Sequence, residues 1–178
     1  MSMKARLQNL GFTLIELIVV LLLLGILGAV FIPRTRNDAI IVSTQAEQFA
    51  ADIRYVQSLA MTQGWSGANP RRYYISYTVA TAPAQYAMYS VSPVSINPVL
   101  AVPHPSGSPS PISLAGEVRM SSSGLGSNLI AFDGLGTPYT DQAASNVLAT
   151  DATITLAGAG GASRAIQISP GTGMVRVQ

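Results

Sequence analysis

Gly11-Phe12-Thr13-Leu14-Ile15-Glu16 opens an apolar run that continues to Ile32, and the rest of the chain is organised around it. A short basic leader, Met1 to Leu10 with Lys4 and Arg6, stands ahead of it. From Phe12 to Ile32 the only ionisable side chain is Glu16. A helix over this run is about 32 Å long at 1.5 Å per residue, against a hydrocarbon core of about 30 Å. The run therefore predicts a membrane-spanning helix over residues 12–33. A carboxylate costs roughly 2.5–3.5 kcal/mol at mid-bilayer and less near an end. A passive anchor gains nothing from that cost, so the physical reading is a partner charge for Glu16 inside the apolar phase. A signal-peptide core runs about 7–15 residues without charge, which is shorter and plainer than this.

The string GFTLIELIVVLLLLGILG, residues 11–28, closely resembles the N-terminus of type IV prepilins and of type II secretion pseudopilins. The resemblance implies that residues 1–11 are a leader. A prepilin peptidase/methyltransferase would cut between Gly11 and Phe12 and methylate the new Phe12 amine. It also implies that Glu16 pairs with the Phe12 amine of a neighbouring subunit during assembly. That pairing is chemically sound, because cleavage leaves a cationic amine about one helical turn from Glu16. The implied partners are other pilin or pseudopilin subunits and an inner-membrane assembly platform. The implied location is the bacterial inner membrane, single-pass, with the C-terminal domain periplasmic until assembly. The charge pattern adds little to this: Lys4 and Arg6 precede the span and Arg34 and Arg36 follow it, so the positive-inside rule is nearly tied.

The chain has 178 residues, enough for one anchor helix and one modest domain. It has no cysteine, which removes disulfides, thiolate metal sites and lipidation. Many major type IV pilins close a C-terminal loop with a disulfide and secretion pseudopilins often do not, so the resemblance leans toward the latter. Charged residues are only 10% of the chain, against roughly 25% in average domains. Ten basic residues less Lys4 and Arg6 leave eight, against eight acidic residues, so the chain without its leader is neutral. Neutrality argues against strong nucleic-acid binding.

Beyond the run, Gly25 and Gly28 each weaken a helix interior by about 1 kcal/mol, and Pro33 removes a backbone donor. In filaments of the resembled family the helix between a comparable glycine and proline extends. Close packing at the glycines with a kink at the proline is the simpler alternative, and the two are compatible. Residues 34–64 read as an amphipathic helix continuing the anchor, one helix from about Phe12 to Gln63. Val42, Phe49, Ile53, Val56 and Ala60 form its apolar stripe, with Glu47, Asp52, Arg54 and Gln57 mostly off it. Gly64 is a natural stop. The stretch Phe49 to Gly64 is also similar to the corresponding helix of the minor pseudopilin H group and its pilus-associated relatives.

From residue 65 to 178 the period changes to two. Tyr73 to Val79, Ala87 to Val91, Ile112 to Met120 and Asn128 to Asp133 alternate as strands. The tail reads as a meander, Ala152–Leu156, Arg164–Ser169 and Met174–Val177, with turns at Gly158–Gly161 and Pro170-Gly171. The expected fold is α+β and pilin-like: a long N-terminal helix, transmembrane in its first half, packed on a twisted antiparallel sheet. Residues 92–111 hold six prolines and read as a surface loop, either a recognition loop or a plain insertion.

Chemistry is sparse. The one histidine, His104, lies between two prolines of that loop, which offers no rigid frame for a nucleophile–base–acid set. Asp133, Asp141 and Asp151 are scattered, so no metal site, cofactor site or catalytic residue is expected. Arg71, Arg72, Arg164 and Arg176 can be read as a weak nucleic-acid patch beside Tyr73 and Tyr74, or as solvated sheet-edge charges. Some DNA-uptake minor pilins resemble this layout but end in a basic motif, whereas this chain ends with Arg176 alone. The expected function is a minor pseudopilin of a type II secretion pseudopilus or type IV pilus, supporting protein secretion. The alternative is a minor or major type IV pilin for adhesion, motility or DNA uptake.

Overall fold

The computed structural model describes residues 13–31, 38–64, 71–92 and 100–178. The chain divides into two compact units, residues 1–36 and 37–178. In the first, helix α1 (Leu14–Phe31) runs unbroken through Gly25 and Gly28. Its 18 residues extend about 27 Å. Among the described residues no helix is long and apolar enough to cross a membrane. The expected span over 12–33 also uses Phe12, Ile32 and Pro33, which lie outside the described residues.

The second unit is built on helix α2 (Asp38–Gln63). The single helix expected from Phe12 to Gln63 is thus described as two, with residues 32–37 outside the described residues. Every member of the predicted stripe, Val42, Phe49, Ile53, Val56 and Ala60, is fully buried. Large apolar side chains buried in this way stabilise by about 1.5–3 kcal/mol each. Gly64 ends the helix: its amide bonds to the Ala60 carbonyl at 2.8 Å, and a Cβ there would strike that same carbonyl.

Among the described residues ten strands follow: β1 (Arg72–Tyr77), β2 (Gln85–Val91), β3 (Leu100–Ala101), β4 (Ile112–Ser113), β5 (Arg119–Ser123), β6 (Leu129–Phe132), β7 (Pro138–Tyr139), β8 (Ala152–Ala157), β9 (Ser163–Ile168) and β10 (Val175–Val177). All pairings are antiparallel. They make two sheets rather than the single one expected. The first has the order β3-β2-β1-β6-β7, with β4 also on β2; the second has the order β10-β9-β8-β5. The division arises inside the stretch read as one strand from Ile112 to Met120. Gly116 takes φ +68°, a left-handed conformation that glycine adopts at no steric cost. The chain leaves the first sheet at β4, turns at Gly116 and enters the second at β5.

Helix α2 lies on β1 and β6 of one sheet and on β8, β9 and β10 of the other. One continuous core joins its stripe to Ile75, Met88, Ile130 and Phe132 from the first sheet and Ile154, Leu156, Ile166 and Ile168 from the second. The α+β expectation of a helix laid on antiparallel strands holds. The tail meander lies where its alternation placed it, with Ala152, Ile154 and Leu156 facing inward.

Candidate functional site

At the N-terminus, Gly11 and Phe12 lie outside the described residues, as does Pro33. Thr13 and Glu16 are described, and their geometry is a helix cap. Thr13 Oγ1 accepts the Glu16 amide at 3.3 Å, and the Thr13 carbonyl accepts the Leu17 amide at 3.2 Å. Thr-x-x-Glu is the capping-box pattern, in which the first side chain satisfies an orphan amide at the fourth position. A carboxylate in the first turn also complements the positive end of the helix dipole. The spacing was legible in the sequence and its capping role was missed. Downstream, apolar side chains from Leu14 to Ile26 are between 43 and 77% exposed.

Within the β-rich unit the structure makes a polar site that sequence reasoning did not expect. Asp52, read as mostly off the apolar stripe, is only 5% exposed. It lies three residues after Phe49 and four before Val56, a spacing that sets it beside the buried face. His104 is 8% exposed, so the proline-rich loop seats it in the protein rather than leaving it in solvent. Its Nε2 lies 3.0 Å from Asp52 Oδ1. The Tyr86 hydroxyl donates to Asp52 Oδ2 at 2.5 Å. Burial first, then the bond to Asp52 and its charge, pushes the Tyr86 pKa well up. On the far side of the ring, His104 Nδ1 meets Ser106 Oγ at 2.6 Å and the Ser106 amide at 3.1 Å. Three elements thus converge on one carboxylate: α2, β2 and the loop.

The local sequence explains the convergence. β3 and β4 both pair with the same edge of β2, at Tyr89↔Ala101 and Tyr86↔Ile112. Residues 102–111 arch between these two anchors and set His104 down on α2. The expected loop therefore contains a short edge strand near its middle, at Leu100–Ala101, while residues 93–99 lie outside the described residues. Proline excludes a central strand but is tolerated beside an edge one.

The remaining acids organise turns. Asp133 Oδ1 accepts the Leu135 and Thr137 amides, each at 2.9 Å. Asp141 accepts those of Ser145 and Asn146, and Asp38 that of Gly160 at 2.8 Å. Among the described residues no group of three or more His, Asp or Glu side chains is placed to hold a metal ion. Nor does the structure gather the four arginines. Arg71 and Arg72 are at the start of β1 in the first sheet, where Arg71 bonds to Ser90 Oγ. Arg164 and Arg176 belong to the second sheet, and strand alternation sets them on opposite faces of it.

Residues 6–32 match the family model described as the prokaryotic N-terminal methylation motif. This N-terminus is type IV prepilin-like. The match covers the second half of the expected leader from Arg6, the Thr13–Glu16 cap and the apolar run, and stops before α2. No curated protein and no solved structure matches the chain. The prepilin-like segment points to a structural subunit rather than an enzyme.

Proposed function

We propose that this chain is a minor pilin-like subunit of a type II secretion pseudopilus or type IV pilus, related to the minor pseudopilin H group. It waits in the bacterial inner membrane, anchored by residues 12–33, with its β-rich domain in the periplasm. A prepilin peptidase removes residues 1–11 and methylates Phe12. The subunit then joins other pilin-like subunits on an inner-membrane platform. The observation that carries this reading is the methylation-motif match at residues 6–32, with Glu16 fixed in the first turn of an otherwise apolar helix.

Within it, Gly11 and Phe12 serve processing, Phe12 and Glu16 serve assembly, and Gly25, Gly28 and Pro33 let the helix adapt in a filament. The arginines serve the surface rather than nucleic acid, because they are divided between two sheets.

The capping geometry sharpens the test of Glu16. Glutamine serves a capping box as well as glutamate but carries no charge. If Glu16 pairs with an incoming amine, Glu16→Gln and Glu16→Leu both lose filament incorporation, while membrane fractionation and cleavage at Gly11 persist. Incorporation by Glu16→Gln at the unsubstituted level would reduce the residue to a helix cap. Mass spectrometry of the membrane form is expected to show a methylated Phe12 start; an intact Met1 start would overturn the processing reading.

A further inference from the structure

The buried Asp52–His104 contact continues into an exposed loop tip, and its hydrogen bonds fix a protonation state. The Ser106 amide points at His104 Nδ1 from 3.1 Å. A backbone N–H can only donate, so Nδ1 carries a lone pair. The ring proton therefore sits on Nε2, which donates to Asp52 Oδ1 at 3.0 Å. Ser106 Oγ donates to the same Nδ1 at 2.6 Å and accepts from Ser108 Oγ at 2.7 Å. A one-way chain of donors thus runs from Ser108 through Ser106 and His104 to the carboxylate.

We infer that protonation of His104 switches the conformation of the loop tip Ser106–Ser108 while the anchor on Asp52 stays in place. An imidazolium donates from both nitrogens. Its Nε2–H remains on Asp52, and the added charge strengthens that bond. Its Nδ1–H faces the Ser106 amide donor to donor, so the peptide before Ser106 has to turn away. Ser106 Oγ changes from donor to acceptor at the ring, and the reversal passes to Ser108. The turn that moves is closed by the Gly107 amide on the His104 carbonyl at 2.9 Å. Gly107, at φ +74°, gives the backbone room to rearrange.

Among the described residues the hydrogen-bonding groups facing the ring are Asp52 from α2 and Ser106 from the loop itself; Tyr86 from β2 faces it through the other oxygen of Asp52. Ser106, Gly107 and Ser108 are exposed, so the change is presented on the surface. Histidine is the side chain that ordinarily exchanges a proton between about pH 5 and 8.

His104 is the chain's only histidine, so the full chain labelled with [15N]histidine in detergent micelles gives one imidazole spectrum. Serine amides that follow proline occur only at Ser106 and Ser110, so labelling proline carbonyls and serine nitrogens isolates those two, with Ser110 as the reference. At the alkaline end Nδ1 is expected to be unprotonated and Nε2 protonated. On acidification the Ser106 amide should shift with the same midpoint as the ring, while Ser110 stays still. Ser106→Ala keeps the amide and should keep this coupling. A proton on Nδ1 at the alkaline end would overturn the inference. So would a Ser106 amide that stays flat while the ring gains its proton, or loss of the coupling in Ser106→Ala.

Discussion

Helices α1 and α2 are both rich in apolar residues, yet they use them in opposite ways. Along α1 the apolar side chains from Leu14 to Ile26 point in every direction and are exposed. Along α2 they keep to one side, and that side is sealed beneath two sheets. A helix apolar all round selects a solvent, whereas a helix apolar on one side selects a partner. Only the second kind of pattern carries information about which residue touches which. That is why the identity of single side chains should matter much more on α2.

The largest contrast should come from truncating one apolar side chain on each helix. Phe49 is fully buried and packs edge-on against Tyr86, with ring centres 4.8 Å apart, and against Tyr77 at 6.1 Å. Phe49→Ala should cost about 3–5 kcal/mol, read from denaturant melting of the full chain in detergent by near-ultraviolet circular dichroism. Leu21→Ala on α1 should leave that transition within about 0.5 kcal/mol. Equal losses in the two variants would erase the distinction between the helices.

A somewhat smaller loss is expected from the polar member of the buried face. Asp52→Ala leaves the Tyr86 hydroxyl and His104 Nε2 without their common acceptor, at a cost of about 3 kcal/mol. Removing His104 as well should recover part of the loss, because fewer buried donors are then left unpaired. A double variant no better than Asp52→Ala would show that the loss comes from Tyr86 and α2 and not from an unpaired His104.

The smallest effect separates the two faces of the first sheet. Away from α2, Tyr74 is buried with Val91 and Ala131 and stacks on Tyr89 at 5.2 Å. Burial first, then the neighbouring Tyr89, pushes its pKa from 10.0 up to about 12. Over that interval the unfolded chain releases a proton that the folded chain keeps. The stabilisation is complete below pH 10 and is lost as pH rises toward about 12. Tyr73, Tyr77 and Tyr139 are also shifted upward by burial and add to the same alkaline slope. Tyr74→Phe should move the onset of alkaline unfolding to higher pH, measured as melting temperature against pH. An unchanged onset would place the whole slope on the other tyrosines.

Features written at short range were legible in the sequence. The stripe of α2, the Gly64 stop and the tail strands follow from spacing and turn residues, and the structure repeats them within a residue or two. The division into two sheets was hidden because Ile112, Leu114, Val118 and Met120 keep an apparent alternation across Gly116, and only its φ reveals the corner. The Asp52–His104 contact joins residues 52 positions apart, and no local period encodes such a pairing. Its one sequence trace was the helical offset of Asp52 from Phe49 and Val56. At the N-terminus the Thr13–Glu16 spacing is a local signature of a helix cap and was legible, because a capping box is written within four residues.

The polar side chains of α2 fasten that helix mechanically to the strands and loops around it. Asp38 holds the β8–β9 turn through the Gly160 amide, and Asp52 holds His104 and Tyr86. Arg54 holds the Val175 carbonyl at 3.0 Å, and Gln57 holds both the Gly136 and Thr172 carbonyls. These fastenings are spread along the rod at successive heights and reach both sheets. A force along the axis of α2 loads them together, in shear, along with the whole apolar seam beneath. A force across the axis would open them one after another, as a zip opens. The domain is therefore built to resist being drawn along its own helix far better than being peeled from it.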